Sequence, residues 1–139
     1  MKKLLILFFV LVALLVTACQ SKPVVAETVS VMGGSYKDVS ADELAKMLKN
    51  KDFIFINVHI PFAGNIAQTD LSIPYDEIEQ NLLQLPPDKS AKIVLYCRSG
   101  RMSQIAAEKL VSSGYTNIWN LKGGMAEWEQ AGYKIENLP

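Results

Sequence analysis

The sequence of 139 residues has the length of one modest domain and carries 14 basic and 14 acidic side chains. The resulting formal net charge of zero, or near −2 without the first 18 residues, provides no basic field for binding nucleic acid or anionic lipid. Because the chain has only two cysteines and one histidine, it lacks the ligands of a standard zinc site, and neither a metal nor another cofactor is expected.

The amino terminus has the features of an export signal. Lys2 and Lys3 precede an uninterrupted apolar run at residues 4–16, which is shorter than the ~20 residues that span a bilayer. The sequence Val16-Thr17-Ala18-Cys19 follows and resembles a bacterial lipobox. The resemblance implies a lipoprotein signal peptide at residues 1–18, lipidation of Cys19, and export to the cell envelope, with the protein anchored on the extracytoplasmic face of a membrane. Cleavage by the ordinary signal peptidase, with Cys19 incidental, is the alternative.

Removal of residues 1–18 would leave a chain with 12 basic and 14 acidic side chains, in which Cys97 is the only free thiol. No intramolecular disulfide is then possible. A lone thiol outside the cytoplasm is at risk of oxidation, which favours a catalytic reason for its presence. Small and apolar residues with Gly33-Gly34 predict a flexible, lipidated tether over residues 19–35, followed by one folded domain at residues 36–135.

Strand and helix patterns alternate along the folded region, which predicts a three-layer α/β domain with helices on both faces of a central, mainly parallel sheet. Continuous apolar runs predict the buried strands, and apolar residues at helical spacing predict the helices. Ser40 and Glu43 form a capping box at the start of the first helix. The predicted elements are an edge strand at 36–39, a helix at 41–50, a strand at 53–58, a loop at 59–74, a helix at 75–85, a strand at 93–96, a helix at 103–111, a strand at 117–121 and a short helix ending near 132.

Cys97 follows the strand at residues 93–96 and precedes a compact loop with one glycine and two arginines. A thiol between a strand end and a helix amino terminus faces backbone N–H groups and the positive end of the helix dipole. Both favour the thiolate, which is the nucleophilic form. Arg98 and Arg101 can add charge-assisted donors to a bound oxyanion. The one histidine, His59, is distant in sequence, so a structural or solvent-facing role is favoured for it over that of a partner base.

The sequence Tyr96-Cys97-Arg98-Ser99-Gly100-Arg101-Met102-Ser103 is followed by Gly114-Tyr115 and by Leu121-Lys122-Gly123-Gly124-Met125-Ala126-Glu127-Trp128. This combination resembles a single-domain rhodanese and implies a rhodanese-like fold. It further implies a sulfurtransferase of the thiosulfate sulfurtransferase class, in which Cys97 is the catalytic residue and carries a persulfide. Its partners would be a small anionic sulfur donor and an acceptor, either cyanide or a thiol, including a protein thiol. The loop that would bind the substrate consists of Arg98, Ser99, Gly100, Arg101, Met102 and Ser103.

Two other functions are weighed against this one. Rhodanese-like phosphatases and arsenate reductases place an arginine six positions after the cysteine, whereas Ser103 has that position here and Arg101 comes too early. The shorter loop fits a single sulfur atom better than a tetrahedral oxyanion, which argues against phosphatase activity. A sulfane-sulfur carrier or sensor, which would deliver sulfur from Cys97 to a partner protein with little free turnover, stays open.

The amino-terminal half of the domain departs from the family pattern. Where that pattern has Asp-Val-Arg and then Gly-His-Ile, this chain has Asn57-Val58-His59 and Gly64-Asn65-Ile66, with a few residues missing between them. These changes remove an ion pair expected to brace the active loop. Met102 also stands where many members carry a polar or charged residue. We expect the shortened segment to widen the mouth of the pocket.

Overall fold

The structure is a computed structural model and describes residues 22–137. Its strands are β1 (Glu27–Val31), β2 (Gly34–Val39), β3 (Ile54–Asn57), β4 (Leu71–Ser72), β5 (Ile93–Tyr96) and β6 (Ile118–Leu121). Its helices are α1 (Ala41–Lys49), α2 (Arg101–Ser112), α3 (Gly124–Gln130) and a 3₁₀ helix at Ile78–Gln84.

The six strands form one sheet in the order β1-β2-β6-β5-β3-β4. Strands β1 and β2 are antiparallel, and the other strand pairs in this sheet are parallel. One face packs against α2 and the 3₁₀ helix, around Leu95 and Leu110. The other face packs against α1 and α3, around Phe55 and Trp128. The prediction of a three-layer α/β domain with a mainly parallel central sheet is confirmed.

Two apolar runs of the sequence form the centre of this sheet as predicted. All four residues of β5 and of β6 are buried, as expected for parallel strands covered on both faces. The predicted capping box is half formed: the Ser40 Oγ accepts a hydrogen bond from the Glu43 N–H at 3.3 Å, whereas the Glu43 carboxylate bonds the Val25 N–H and Lys46 instead of turning back to Ser40.

The prediction of a flexible tether is wrong from Glu27 onward, because β1 and β2 form a hairpin there. Val29 and Val31 are the partly buried residues on one face of β1, and Val31 is paired with Gly34 across the two-residue turn Met32-Gly33. Gly33 has a φ of 89°, which such a turn requires at this point. The strand predicted at the sheet edge is therefore internal, with β1 on one side of β2 and β6 on the other. The predicted signal peptide and Cys19 lie outside the described residues.

Three other boundaries differ from the predicted ones. The helix predicted at residues 75–85 is a kinked 3₁₀ helix, because Asn81 has non-helical backbone angles and its side chain bonds the Glu77 carbonyl at 2.9 Å. Helix α2 begins at Arg101 rather than Ser103, because Gly100 turns the chain with a φ of 94°. The predicted loop at residues 59–74 contains the short strand β4. No helix within residues 22–137 is long and apolar enough to cross a membrane.

Candidate active site

The chemistry-bearing residues lie at one edge of the sheet. Strands β3, β5 and β6 run in the same direction and end at Asn57, Tyr96 and Leu121, so the segments that follow them meet there. We call this the Cys97 edge. The opposite edge, where the same strands begin at Ile54, Ile93 and Ile118, is called the amino edge. The predicted loop after Cys97 thus borders the segment that starts at Val58.

The Cys97 thiol is held inside its loop. The residue is free and only 1% exposed. Its Sγ accepts a hydrogen bond from the Gly100 N–H at 3.0 Å and contacts the Ser103 Oγ at 3.5 Å. Because Gly100 directly precedes α2, the sulfur also lies at the positive end of that helix dipole. Of the several backbone N–H groups predicted to face the sulfur, that of Gly100 is the one in hydrogen-bond contact in the described residues.

The Ser103 hydroxyl is an adjustable donor beside this sulfur. It lies 3.5 Å from the Cys97 Sγ and 3.0 Å from the Gly100 carbonyl oxygen, and it is fully buried. One hydroxyl carries one proton, so it donates to only one of these atoms at a time. A negative charge on the sulfur strengthens that hydrogen bond and draws the proton toward it.

The start of α3 fixes the loop from behind. The Met125 N–H donates to the Cys97 carbonyl at 2.8 Å, and the Ala126 N–H donates to the Arg98 carbonyl at 2.9 Å. Gly124 lies so close that a Cβ added to it would be 2.3 Å from the Cys97 oxygen. The first N–H groups of α3 are therefore used to hold the loop backbone, and the Gly-Gly sequence permits the approach.

The other predicted loop residues differ in what they contact. Arg98 forms an ion pair with Glu129 at 2.9 Å, and about half of each side chain is exposed. Arg101 and Ser99 are exposed, whereas Met102 is partly buried and packs against the core. An exposed ion pair adds little stability and exchanges readily with solvent, so the Arg98 guanidinium can move to an anion at the loop.

His59 lies nearer to the loop than its sequence position suggested. The Val58 N–H bonds the Tyr96 carbonyl at 2.9 Å, which places the next residue, His59, beside the loop that begins at Cys97. Burial, and then the positive charge of Arg98, lower the pKa of His59 below 6.5. Its buried Nδ1 has no hydrogen-bond partner among the described residues. Both features favour a neutral imidazole with its proton on Nε2.

A neutral hydrogen-bond network occupies the place of the expected ion pair. The Asn57 Nδ2 donates to the Gly64 carbonyl and to the Asn65 Oδ1, both at 2.9 Å. The Tyr96 hydroxyl accepts from the Ile66 N–H at 3.0 Å and lies 3.2 Å from the same Asn65 oxygen. These contacts join the segment after β3 to the strand that carries Cys97, so the replacement of charged residues leaves the loop braced.

Sequence reasoning missed a second buried polar pair near the site. The Asn120 Nδ2 donates to the Asp38 Oδ1 at 2.8 Å, and both residues are buried. Asn120 lies opposite Leu95 in the sheet register, two residues before Cys97 on the adjacent strand. The sequence feature that could have indicated this pair is Asn120 itself, a polar residue inside the apolar run of β6.

Among residues 22–137, no group of His, Cys, Asp and Glu side chains is arranged to hold a metal ion. What the described residues do bring together is the Cys97 thiol and two hydrogen-bond donors, the Gly100 N–H and the Ser103 hydroxyl.

Comparison with known proteins agrees with this arrangement. A sulfurtransferase from Allochromatium vinosum is 28% identical over 101 residues, covering 70% of this chain and 92% of the relative. A tRNA uridine(34) hydroxylase from Hamiltonella defensa is 27% identical, and the match covers 73% of this chain but only 30% of that protein. The crystal structure of a rhodanese-related protein from Thermoplasma volcanium has a TM-score of 0.60 and 29% identity, covering 70% of this chain and 95% of that one. The model of the rhodanese-like domain family matches residues 38–131, and the chain belongs to that family.

Proposed function

We propose that this protein is a sulfurtransferase that carries sulfane sulfur on Cys97. The observation that supports this best is the position of the Cys97 Sγ, 3.0 Å from the Gly100 N–H and next to the Ser103 hydroxyl. These donors, with the α2 dipole, stabilise a negative sulfur without a partner base. The similarity to the Allochromatium sulfurtransferase, which this chain matches over 92% of that protein's length, supports the same reaction class.

In the first step the Cys97 thiolate attacks the outer sulfur of a donor such as thiosulfate. A bond forms between the two sulfurs, and the bond to the sulfonate group breaks, with sulfite leaving with the electron pair. In the second step cyanide or a thiolate attacks the outer sulfur of the Cys97 persulfide. The sulfur–sulfur bond breaks, the Cys97 thiolate is regenerated, and thiocyanate or a new persulfide leaves. Arg98, once released from Glu129, is positioned to bind an anionic donor.

The size of the loop argues against phosphate as the substrate. Ser103, six positions after Cys97, is buried inside α2, and its hydroxyl faces the sulfur rather than solvent. Arg101 begins the helix and is exposed. No arginine six positions after Cys97 is therefore present to bind a tetrahedral oxyanion, which favours sulfur over phosphate as the transferred group.

The test is mass spectrometry of the purified protein after incubation with thiosulfate or with polysulfide. We expect Cys97 to gain the mass of one sulfur and to lose it rapidly when cyanide is added. Cys97→Ser should show neither change while keeping the far-ultraviolet circular dichroism of the parent. No gain with either donor, in protein that is fully reduced beforehand, would contradict the proposal.

A carrier or sensor function is supported by a different observation. Cys97 is only 1% exposed, so a free small molecule reaches the sulfur less easily than a partner that moves the loop. A carrier would gain the sulfur but release it to cyanide slowly, and release it fast to a protein thiol. The ratio of these two rates separates the carrier from the enzyme that turns over free substrates.

We further propose that the protein is a lipoprotein of the cell envelope, anchored through Cys19. Support comes from the sequence Val16-Thr17-Ala18-Cys19 directly after the apolar run. Fractionation of bacteria expressing the full chain or Cys19→Ala tests this. We expect the parent in the membrane fraction and the variant in the soluble fraction; equal membrane binding of both would refute the anchor.

A further inference from the structure

The first described residues, from Lys22 onward, lie at the amino edge, which is at the opposite end of the strands from Cys97. Lys22, Pro23 and Val24 line a groove of about 320 Å³ together with Met47 and Lys92, which lie at the end of α1 and directly before β5. The Val25 N–H then bonds the Glu43 Oε2 at 3.1 Å. The four residues of β5 lie between Lys92 and Cys97, so five steps of about 3.3 Å place the two edges about 17 Å apart.

Because the hairpin replaces most of the predicted tether, the domain has less freedom to move relative to a lipid anchor on Cys19. A flexible tether over residues 19–35 would reach more than about 50 Å and would impose no orientation. In the structure Lys22 already lines the groove beside the end of α1, three residues after Cys19 and within about 11 Å of it at full extension. A lipid on Cys19 would therefore bring the amino edge to the membrane surface.

The charge of the amino edge fits such a surface. Six lysines lie in the groove, at the end of α1 and in the segments before β3 and β5, and four carboxylates lie in these segments or pair with these lysines, whereas the rest of the described chain has 6 basic and 10 acidic residues. The lysines are Lys22, Lys46, Lys49, Lys51, Lys89 and Lys92, and the carboxylates are Glu43, Asp52, Asp70 and Asp88. Each of Lys46, Lys51 and Lys92 is paired with a carboxylate. Lys22, Lys49 and Lys89 are exposed and form no ion pair with a carboxylate of residues 22–137.

We propose that the amino edge is the membrane-facing surface of the lipidated protein, that anionic lipid headgroups are its partner, and that Cys97 opens toward the aqueous phase. The unpaired lysines attract the headgroups, and the exposed Val24 and Val25 beside them add apolar contact. The inference rests on the proposed Cys19 anchor and extends the proposed function: the sulfur donor and acceptor are water-soluble molecules or soluble proteins rather than species dissolved in the lipid.

The test uses the full chain, purified from bacteria and reconstituted into vesicles that contain a lipid with a nitroxide headgroup. A fluorophore is attached at Lys49→Cys on the amino edge or at Ser99→Cys on the Cys97 edge, both exposed positions, in a Cys97→Ser background. We expect the label at position 49 to be quenched at least twofold more strongly than the label at position 99. Equal quenching, or stronger quenching at position 99, would overturn the orientation.

A second comparison tests the partner. In phosphatidylcholine vesicles, addition of phosphatidylglycerol should increase quenching at position 49. The double variant Lys22→Glu and Lys89→Glu should remove that increase, whereas Lys122→Glu with Lys134→Glu, which carries the same charge change elsewhere, should retain it. No increase in the parent, or the same loss in both variants, would overturn the assignment of anionic headgroups.

Mass spectrometry of the same preparation separates the two proposals. An unmodified Cys19 would refute both the anchor and the orientation. A lipidated Cys19 with the reverse quenching pattern would refute the orientation alone. In either case the sulfurtransferase proposal is tested only by the Cys97 experiment.

Discussion

The Gly124→Ala variant tests whether α3 fixes the Cys97 loop. The added methyl group would collide with the backbone of that loop, so its effect on the loop can be compared with its effect on overall stability. A Cβ at Gly124 would lie 2.3 Å from the Cys97 oxygen and 2.8 Å from the Arg98 carbonyl carbon, and the φ of Gly124 is 61°. Both contacted atoms belong to the backbone, so no side-chain rotation relieves the overlap. We expect Gly124→Ala to lower the free energy of unfolding by about 2–5 kcal/mol, of which about 1–2 comes from the left-handed conformation and the rest from overpacking.

Gly132→Ala is the matched control. Gly132 also has a positive φ, of 91°, but a Cβ there meets no atom within 4 Å. This variant should lose only the conformational part, about 1–2 kcal/mol. Urea unfolding followed by tryptophan fluorescence measures both values.

The rate at which iodoacetamide modifies Cys97 in the folded protein provides a second measurement. We expect this rate to change in Gly124→Ala, because the Met125 N–H bond to the Cys97 carbonyl at 2.8 Å must shift, and to stay at the parent value in Gly132→Ala. The same loss of stability in both variants, with unchanged alkylation, would refute the view that α3 fixes the loop.

Three further predictions concern other parts of the site. Ser103→Ala should slow alkylation of Cys97 by about 2- to 10-fold, because it removes a hydrogen bond to sulfur worth about 0.5–1.5 kcal/mol; a rate within experimental error of the parent would exclude this donor. Tyr96→Phe should lower the free energy of unfolding by about 1–3 kcal/mol, measured in urea, because the buried Ile66 N–H loses its acceptor. The pKa of His59 is held below 6.5 by burial and by Arg98, so the unfolded chain binds the proton first and stability should fall as the pH drops below about 6.5 toward the lower folded value. His59→Gln should reduce this fall in urea melts between about pH 5 and pH 7, and an unchanged slope would exclude His59 as its source.

The elements that local sequence patterns specify were predictable. Four consecutive apolar residues at Ile93–Tyr96 and the N-cap at Ser40 each act over a few neighbours, and the structure contains both. The Cys97 loop was equally accessible, because its strand, glycine turn and helix are contiguous in the chain.

What sequence reasoning missed depends on contacts between distant residues or on competition within a segment. Strand β1 forms because its backbone pairs with β2, whereas the small residues around the turn between them suggested a flexible segment. Arg98 and Glu129 are 31 residues apart, and nothing local indicates that they meet. The Asn81 side chain competes with the backbone for hydrogen bonds, which the apolar spacing of that helix does not reveal.

The neutral network at Asn57 shows why a departure from the family pattern need not weaken the site. An ion pair at this depth would incur a large desolvation cost that its attraction only partly offsets, whereas the Asn57 amide satisfies its donors on Gly64 and Asn65 without burying a charge. Burial raises the pKa of the Tyr96 hydroxyl above its ordinary value of 10.0, so this group stays protonated near neutral pH. No member of the network then titrates between about pH 5 and pH 8. The brace on the Cys97 loop should accordingly be insensitive to pH in this range, and His59 is left as the group beside the loop whose charge changes there.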